Sequence, residues 1–377
     1  PMIRTLLVPI SLLFLLAWSA RADELPAPPA PLPAWVTAIT PRADFRFRNE
    51  TIDGEGLTLR NRERVRARLG VQIALPPDVD LGLGLATGND GDPVSTNQTL
   101  TAAFSKKPVW LDLAYVDWHP SFAAGSHVLL GRMKNPFVAP GKTELIWDHD
   151  LNPEGLALSW SRAFGGIEPF ATGGAYWIEE RDKTKDSLLL GGQAGVRATM
   201  LEGRLWLTLG GSYYDYTETK GASAYFDKTK GFGNSVDATD PDNVTYLHDY
   251  NLVEGFAELG GKILGFPVTA CADFVRNLDP DADRTGWLAG VVLGRAKDPG
   301  SFEVRYSYRV VEKDAVLGAF TDSDFRGGGT DGKGHEAGVD VVLAKHVQVG
   351  ATYFFDDRGV DDGKSYHRAQ VDVAFKL

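Results

Sequence analysis

The decapeptide Asn61-Arg-Glu-Arg-Val-Arg-Ala-Arg-Leu-Gly70 sets an arginine at every second position. A spacing of two puts Arg62, Arg64, Arg66 and Arg68 on one face of an extended strand, and Arg46 and Arg48 upstream have the parity to join them. A guanidinium stays charged in a protein. This face can be a wall of fixed positive charge or a network of ion pairs. Arg132 and Lys134 extend the basic set. The stretch that follows, residues 134–154, reads KNPFVAPGKTELIWDHDLNPE and supplies the opposite sign through Glu144, Asp148, Asp150 and Glu154.

Other combinations fail on spacing or context. Gly141-Lys142-Thr143 lacks the earlier glycine of a phosphate-binding loop, because Pro136 stands there. Gly327-Gly328-Gly329-Thr-Asp-Gly332 follows no strand-to-helix turn and reads as a mobile loop. Asp279, Asp281 and Asp283, and Asp237, Asp240 and Asp242, lack the twelve-residue calcium pattern. They read instead as carboxylates bridged by divalent ions to lipopolysaccharide. Asp148-His149-Asp150 has no assignable serine nucleophile, and the seven histidines are scattered. The single cysteine, Cys271, excludes a disulfide framework, an iron–sulfur cluster and a cysteine-based zinc site. No metal and no cofactor is expected. The net charge of -11 argues against a nucleic-acid partner.

The elements that must carry these residues are strands. In Phe302-Glu-Val-Arg-Tyr-Ser-Tyr-Arg-Val310, apolar and polar residues alternate throughout, and Val347–Phe355 behaves alike. Strands are expected over 42–49, 61–74, 80–87, 108–118, 126–133, 155–163, 167–180, 188–200, 204–218, 248–261, 267–278, 285–296, 301–313, 335–344, 347–356 and 365–377. The gaps read as short and long in turn, with long ones at 88–107, 134–154, 219–247 and 314–334. A transmembrane antiparallel β-barrel of about sixteen strands needs tight turns at one rim and longer loops at the other. Trp110, Tyr115, Trp118, Trp160, Tyr176, Trp177, Tyr213, Tyr214, Tyr216 and Tyr353 are expected in its interfacial girdles. An arginine facing lipid near the midplane costs ~2–4 kcal/mol, which sends the arginine face inward and Val65, Ala67, Leu69, Val71 and Ile73 outward.

The chain's start reads as an export signal. Arg4, the apolar run Leu6–Trp18 and Ala20-Arg-Ala22 have the form of a signal peptide over 1–22, with a mature start at Asp23. A proline-rich periplasmic linker over 23–41 follows, and the barrel is expected over 42–377. The final strand alternates Ala369, Val371, Val373, Phe375 and Leu377 with mostly polar residues. A strand at this position suits a barrel, which closes by pairing its last strand with its first.

The stretch WLDLAYVDWHPSFAAGSHVLLGRMKNPF, residues 110–137, resembles the Putative porin and phosphate-selective-type porin families of Gram-negative outer membranes. The matches are Ala114-Tyr115-Val116-Asp117, Gly131-Arg132, Lys134 and Pro136-Phe137. The end of the chain resembles an outer-membrane sorting signal at Gln370, Phe375 and Leu377. Asp372 stands where that signal has glycine, and Leu377 where it ends on an aromatic.

The resemblance implies passive diffusion of ions and small hydrophilic solutes, with the third outside loop folded into the lumen. Arg46, Arg48, Arg62, Arg64, Arg66, Arg68, Arg132 and Lys134 then form a pore-lining basic wall. Glu144, Asp148, Asp150 and Glu154 form a constriction loop. The partners expected are outer-membrane lipid and lipopolysaccharide, the barrel-assembly machinery, the passing solutes and, as one open assembly, a homotrimer. Two other readings stay open. One is a barrel enzyme of lipase or protease type, and the other is a plugged structural or adhesion barrel.

Overall fold

The structure is a computed structural model that describes Pro33, residues 35–263 and residues 265–377. The expected signal peptide and most of the proline-rich segment lie outside the described residues. Sixteen long strands form one closed antiparallel barrel. In chain order they are β1 Ala38–Gly54, β2 Arg60–Leu75, β3 Val79–Thr87, β4 Val109–Trp118, β5 Ser126–Arg132, β6 Glu154–Ser161, β7 Ile167–Glu179 and β8 Ser187–Met200. Then come β9 Leu205–Tyr216, β10 Tyr250–Ile263, β11 Phe266–Asn277, β12 Thr285–Gly294, β13 Phe302–Val311, β14 Gly332–Ala344, β15 Val347–Arg358 and β16 Lys364–Lys376. Each falls where the alternation places it. The first begins earlier than expected, inside the assigned linker, because Ala38–Arg42 pair with Ala74–Gly70 of β2.

The barrel closes through β1. Its residues pair with β2 on one side and with β16 on the other, from Asp44↔Lys376 to Gly54↔Tyr366. No backbone edge is left to lipid along this seam. The four long connections, L2 (88–108), L3 (133–153), L5 (217–249) and L7 (312–331), share one rim. That rim also carries the short connections 55–59, 180–186, 278–284 and 359–363, so the alternation of lengths is not strict. Within L2, Gln98–Thr99 continues the sheet beside Arg64–Val65, where β3 has already ended.

The faces are inverted relative to a water-soluble sandwich. Leu69 is 62% exposed on the outside, while Arg64 and Arg66 are 6% and 8% exposed inside. Phe45, Leu83, Leu158, Val253, Phe274, Val304 and Val371 likewise cover the outer wall. Trp110, Trp118, Trp177 and Tyr213 are exposed on that wall, as interfacial aromatics are.

Tyr176, Tyr214 and Tyr216, expected in the same girdle, are instead fully buried. Parity is the reason. Tyr214 and Tyr216 share a face with Thr208 and Ser212, which is the lumenal one, so of the Tyr213-Tyr214 pair only Tyr213 can meet lipid.

The apolar core therefore lies inside the barrel. L3 gives it Met133, Phe137, Leu145 and Ile146, L5 gives Tyr225, Val244 and Tyr246, and L7 gives Val316, Leu317 and Phe325. These pack on Tyr176, Leu189, Tyr214, Leu252, Val275 and Leu288 of β7 to β12. Fully burying one such side chain contributes about 1.5–3 kcal/mol. Three loops are thus held against one half of the wall.

The glycines at 327–329, expected in a mobile loop, are part of this packing. Gly329 has φ +90°, and a Cβ there would stand 2.1 Å from the Phe232 carbonyl oxygen. The position requires glycine for both reasons.

Candidate functional site: the charged cavity beside the third loop

L3 enters the lumen with its apolar side against β7 to β12. Phe137 meets Tyr214 edge to face with centroids 5.0 Å apart, and Trp147 meets it at 5.3 Å. Gln193 of β8 grips the Val138 backbone, donating to its carbonyl and accepting from its N–H. The Gly141 N–H donates to Glu258 of β10 at 2.7 Å. The charged tip of L3 is left facing β1 and β2.

Between that tip and the wall lies a cavity of about 400 Å³. Arg46, Arg48 and Arg66 line it, with Glu144, Asp148 and Asp150 of L3. Arg305 and Arg309 of β13 border it too, as do Asp322 and Asp324 of L7 and Asp372 of β16. Strand alternation brings the arginines together: Arg46 is the register partner of Arg66, and Arg48 of Arg64.

Buried guanidiniums need partners. Arg48 holds Asp372 at 2.7 Å and Asp324 at 3.1 Å. Arg66 holds Asp44 at 2.7 Å, and Arg68 spans Asp44 at 3.1 Å and Asp150 at 3.2 Å. Arg62 pairs with Glu50, which Arg64 approaches at 3.6 Å. Arg46 donates to Asn97 of L2 at 2.7 Å, and its Nε and that of Arg64 have no partner among the described residues. The face is therefore a neutralised ladder with two under-bonded members.

The expected residues separate into groups. Arg46, Arg48, Arg62, Arg64, Arg66 and Arg68 form one continuous patch. Arg132 stands apart: it pairs with Glu154 across β5 and β6, and both border a different cleft of about 430 Å³ with Trp147, Tyr176 and Phe320. Glu154 is the first residue of β6, not a member of the loop. Lys134 is exposed on L3 and makes no ion pair among the described residues.

Of the L3 acids, Asp150 alone makes an ion pair with the arginine face among the described residues. Asp148 turns toward L7 and accepts from the Ser323 N–H at 2.9 Å and the Asp150 N–H at 2.8 Å. Glu144 pairs with His149 at 2.8 Å.

The two aspartates differ electrically. Burial, together with the Glu144, Asp150 and Asp322 charges, pushes the Asp148 carboxyl well above its ordinary range. Burial acts in the same sense on Asp150, but Arg66, Arg68 and the Thr96 bonds outweigh it and hold it low. Asp150 is thus held toward its charged form and Asp148 toward its neutral one.

Several site residues escaped the sequence reading. Asp44, Glu50 and Asp372 share the lumenal parity of their strands and could have been paired with the arginines on that ground. Asp322 and Asp324 lie in a glycine-rich loop with no periodicity to place them. Phe375 packs on Phe45 outside, Gln370 donates to Glu50 inside at 3.3 Å, and Leu377 lies just past β16.

A closed barrel with a charged cavity and an inturned third loop is a membrane channel architecture. The family described as "Putative porin" matches residues 55–251 and 262–376, nearly all of the barrel. The chain belongs to that family. It is an outer-membrane porin of a Gram-negative bacterium, a passage for ions and small hydrophilic solutes.

Solved porin barrels repeat the fold at low identity. OprB of Pseudomonas putida is similar with a TM-score of 0.61 at 11% identity, over 90% of this chain and 94% of that one. The outer membrane channel DcaP of Acinetobacter baumannii has a TM-score of 0.52 at 14% identity, over 90% and 97%. OmpT of Vibrio cholerae, in its trimer form, has 0.52 at 12%, over 90% and 100%. No curated protein matches the chain. At these identities the solved relatives speak for the fold of this porin alone.

Proposed function

We propose that solutes cross this porin through the cavity between L3 and the β1–β2 wall, and that its charges set the preference for ions. One observation carries the reading: guanidiniums border a cavity inside a closed barrel, where a low-dielectric wall strengthens each fixed charge. Arg46, Arg48 and Arg66 act directly on the passing solute; Arg68 shares Asp44 with Arg66, and Arg62 and Arg64 share Glu50. Asp150 is the acidic pole on L3. Arg132, Lys134 and Glu154 act at the mouth.

The assembly proposed is a homotrimer in outer-membrane lipid, with loop carboxylates bridged to lipopolysaccharide by divalent ions. The last strand, with Gln370, Phe375 and Leu377, is the segment offered to the barrel-assembly machinery. No catalytic activity is assigned to the chain. Single-channel conductance and reversal potential in a planar bilayer test the whole reading. A channel with stable steps supports it. Turnover of lipid or peptide without conductance would favour the enzyme, and neither would favour the plugged barrel.

A further inference from the structure

L7 enters the lumen beside L3 and is tied to it. The Asp148 N–H donates to the Phe320 carbonyl at 2.9 Å, and the Thr321 hydroxyl bonds to the Glu144 and Leu145 carbonyls. Phe325 is buried, with the Arg309 guanidinium 4.6 Å from its ring centre. These anchors fix the short run Asp322-Ser323-Asp324 at the edge of the cavity. The two aspartates then have different surroundings. The Asp322 side chain is 3% exposed and is consumed by Arg309 at 2.7 Å. The Asp324 side chain is 24% exposed. Its carboxylate bridges Arg48 of β1, at 3.1 Å, and Arg368 of β16.

Resting on the porin reading above, we propose that Asp324 is a specificity-determining charge of this channel, and that L7 is a second constriction loop beside L3. Without Asp324, Arg368 would keep no carboxylate partner and Arg48 would keep only Asp372 among the described residues. The wall at the β1–β16 seam would then carry uncompensated positive charge. Burial works against ionisation of Asp324, but Arg368 and Arg48 overcome it and hold the carboxyl well below its usual range. The charge is therefore fixed at any working pH. The balance of the cavity is thus set by a loop far in sequence from both L3 and the arginine run.

The test is bilayer recording on the full-length protein refolded as a heat-modifiable barrel. Asp324→Asn should shift the reversal potential toward anions by more than Asp322→Asn does. Cys271 also borders the cavity, so a cysteine version is built on Cys271→Ser. In that background Asp324→Cys should be anion-shifted and should move back toward the parent when a thiol-reactive sulfonate restores the negative charge. This arm remains informative where Asp324→Asn fails to fold. A parent that conducts while both Asp324 variants keep its reversal potential overturns the proposal. A parent that never conducts overturns the channel reading beneath it.

Discussion

Arg68 of β2 holds Asp150 of L3 at 3.2 Å, and the same guanidinium reaches Asp44 of β1 at 3.1 Å. One side chain thus joins two strands of the wall to the loop that fills the lumen. The pair is part-exposed, so its direct contribution to stability is modest, about 0.2–1 kcal/mol for exposed pairs. Its effect on ions should exceed its effect on folding.

Replacing Arg66 and Arg68 together by Gln should shift the reversal potential toward cations, and Asp150→Asn should shift it toward anions. Asp148→Asn should do less, because Asp148 faces L7 and not the arginines. Both shifts should shrink as salt rises from 0.1 M to 1 M, where the Debye length falls from ~10 Å to ~3 Å. Recordings at the two concentrations check this; equal shifts from Asp148 and Asp150 would contradict the geometry.

Asp148 should make the channel sensitive to pH above the ordinary carboxyl range. Its folded carboxyl is raised above the unfolded value of about 3.9. Between the two values the folded state binds the extra proton, so the attachment of L3 to L7 is firmest in acid and weakens as pH rises through the folded value. Protonation also removes a negative charge from the cavity edge. Protonation of Asp148, at whatever pH above the ordinary carboxyl range it occurs, should therefore move selectivity toward anions and reduce current noise. A reversal potential that stays flat over the whole range from alkaline pH down to about pH 4 would count against it.

Tyr214→Ala should loosen L3. The ring is fully buried against Phe137 and Trp147. Truncating a large buried aromatic costs about 3–5 kcal/mol. The barrel wall should survive, since its ladder is untouched. The expected outcome is an intact heat-modifiable barrel with noisier current and faster proteolysis within 133–153.

Deleting Phe375–Leu377 should block membrane assembly far more than deleting Asp23–Pro33. Phe375 pairs with Phe45 of β1 and Val347 of β15, so the first deletion opens the seam. The second shortens a proline-rich spacer. Heat-modifiability of the two variants on gels is the readout, and equal insertion would contradict the seam.

The strands were legible because a membrane barrel obeys one rule along its whole length: alternate residues meet lipid and water. The rule placed Arg62 to Arg68 inside and Leu69 outside without any tertiary information. The aromatic girdle, not the alternation, misled for Tyr176 and Tyr214: their parity sets them inside, and there the lumen is packed with loops, so aromatic residues are at home on either face. Alternation gave nothing for Asp324, whose position depends on Phe325 finding Arg309 and Thr321 finding L3. Such contacts have no period. Arg132 was grouped with the wall by charge alone, and its strand lies too far round the barrel to join it.

The β1–β16 seam has a kinetic consequence. Asp44 and Lys376 are register partners, so the first strand cannot complete its hydrogen bonding until the last has been made. Pairings this distant in sequence carry a large loop-closure cost before they return anything, and they slow folding. Until the seam shuts, β1 and β16 are open edges with an apolar face, the kind of surface that aggregates. The chain must therefore be kept unpaired throughout its synthesis and transit. A variant that weakens the seam should be lost to degradation in the periplasm before any defect in conduction could be recorded.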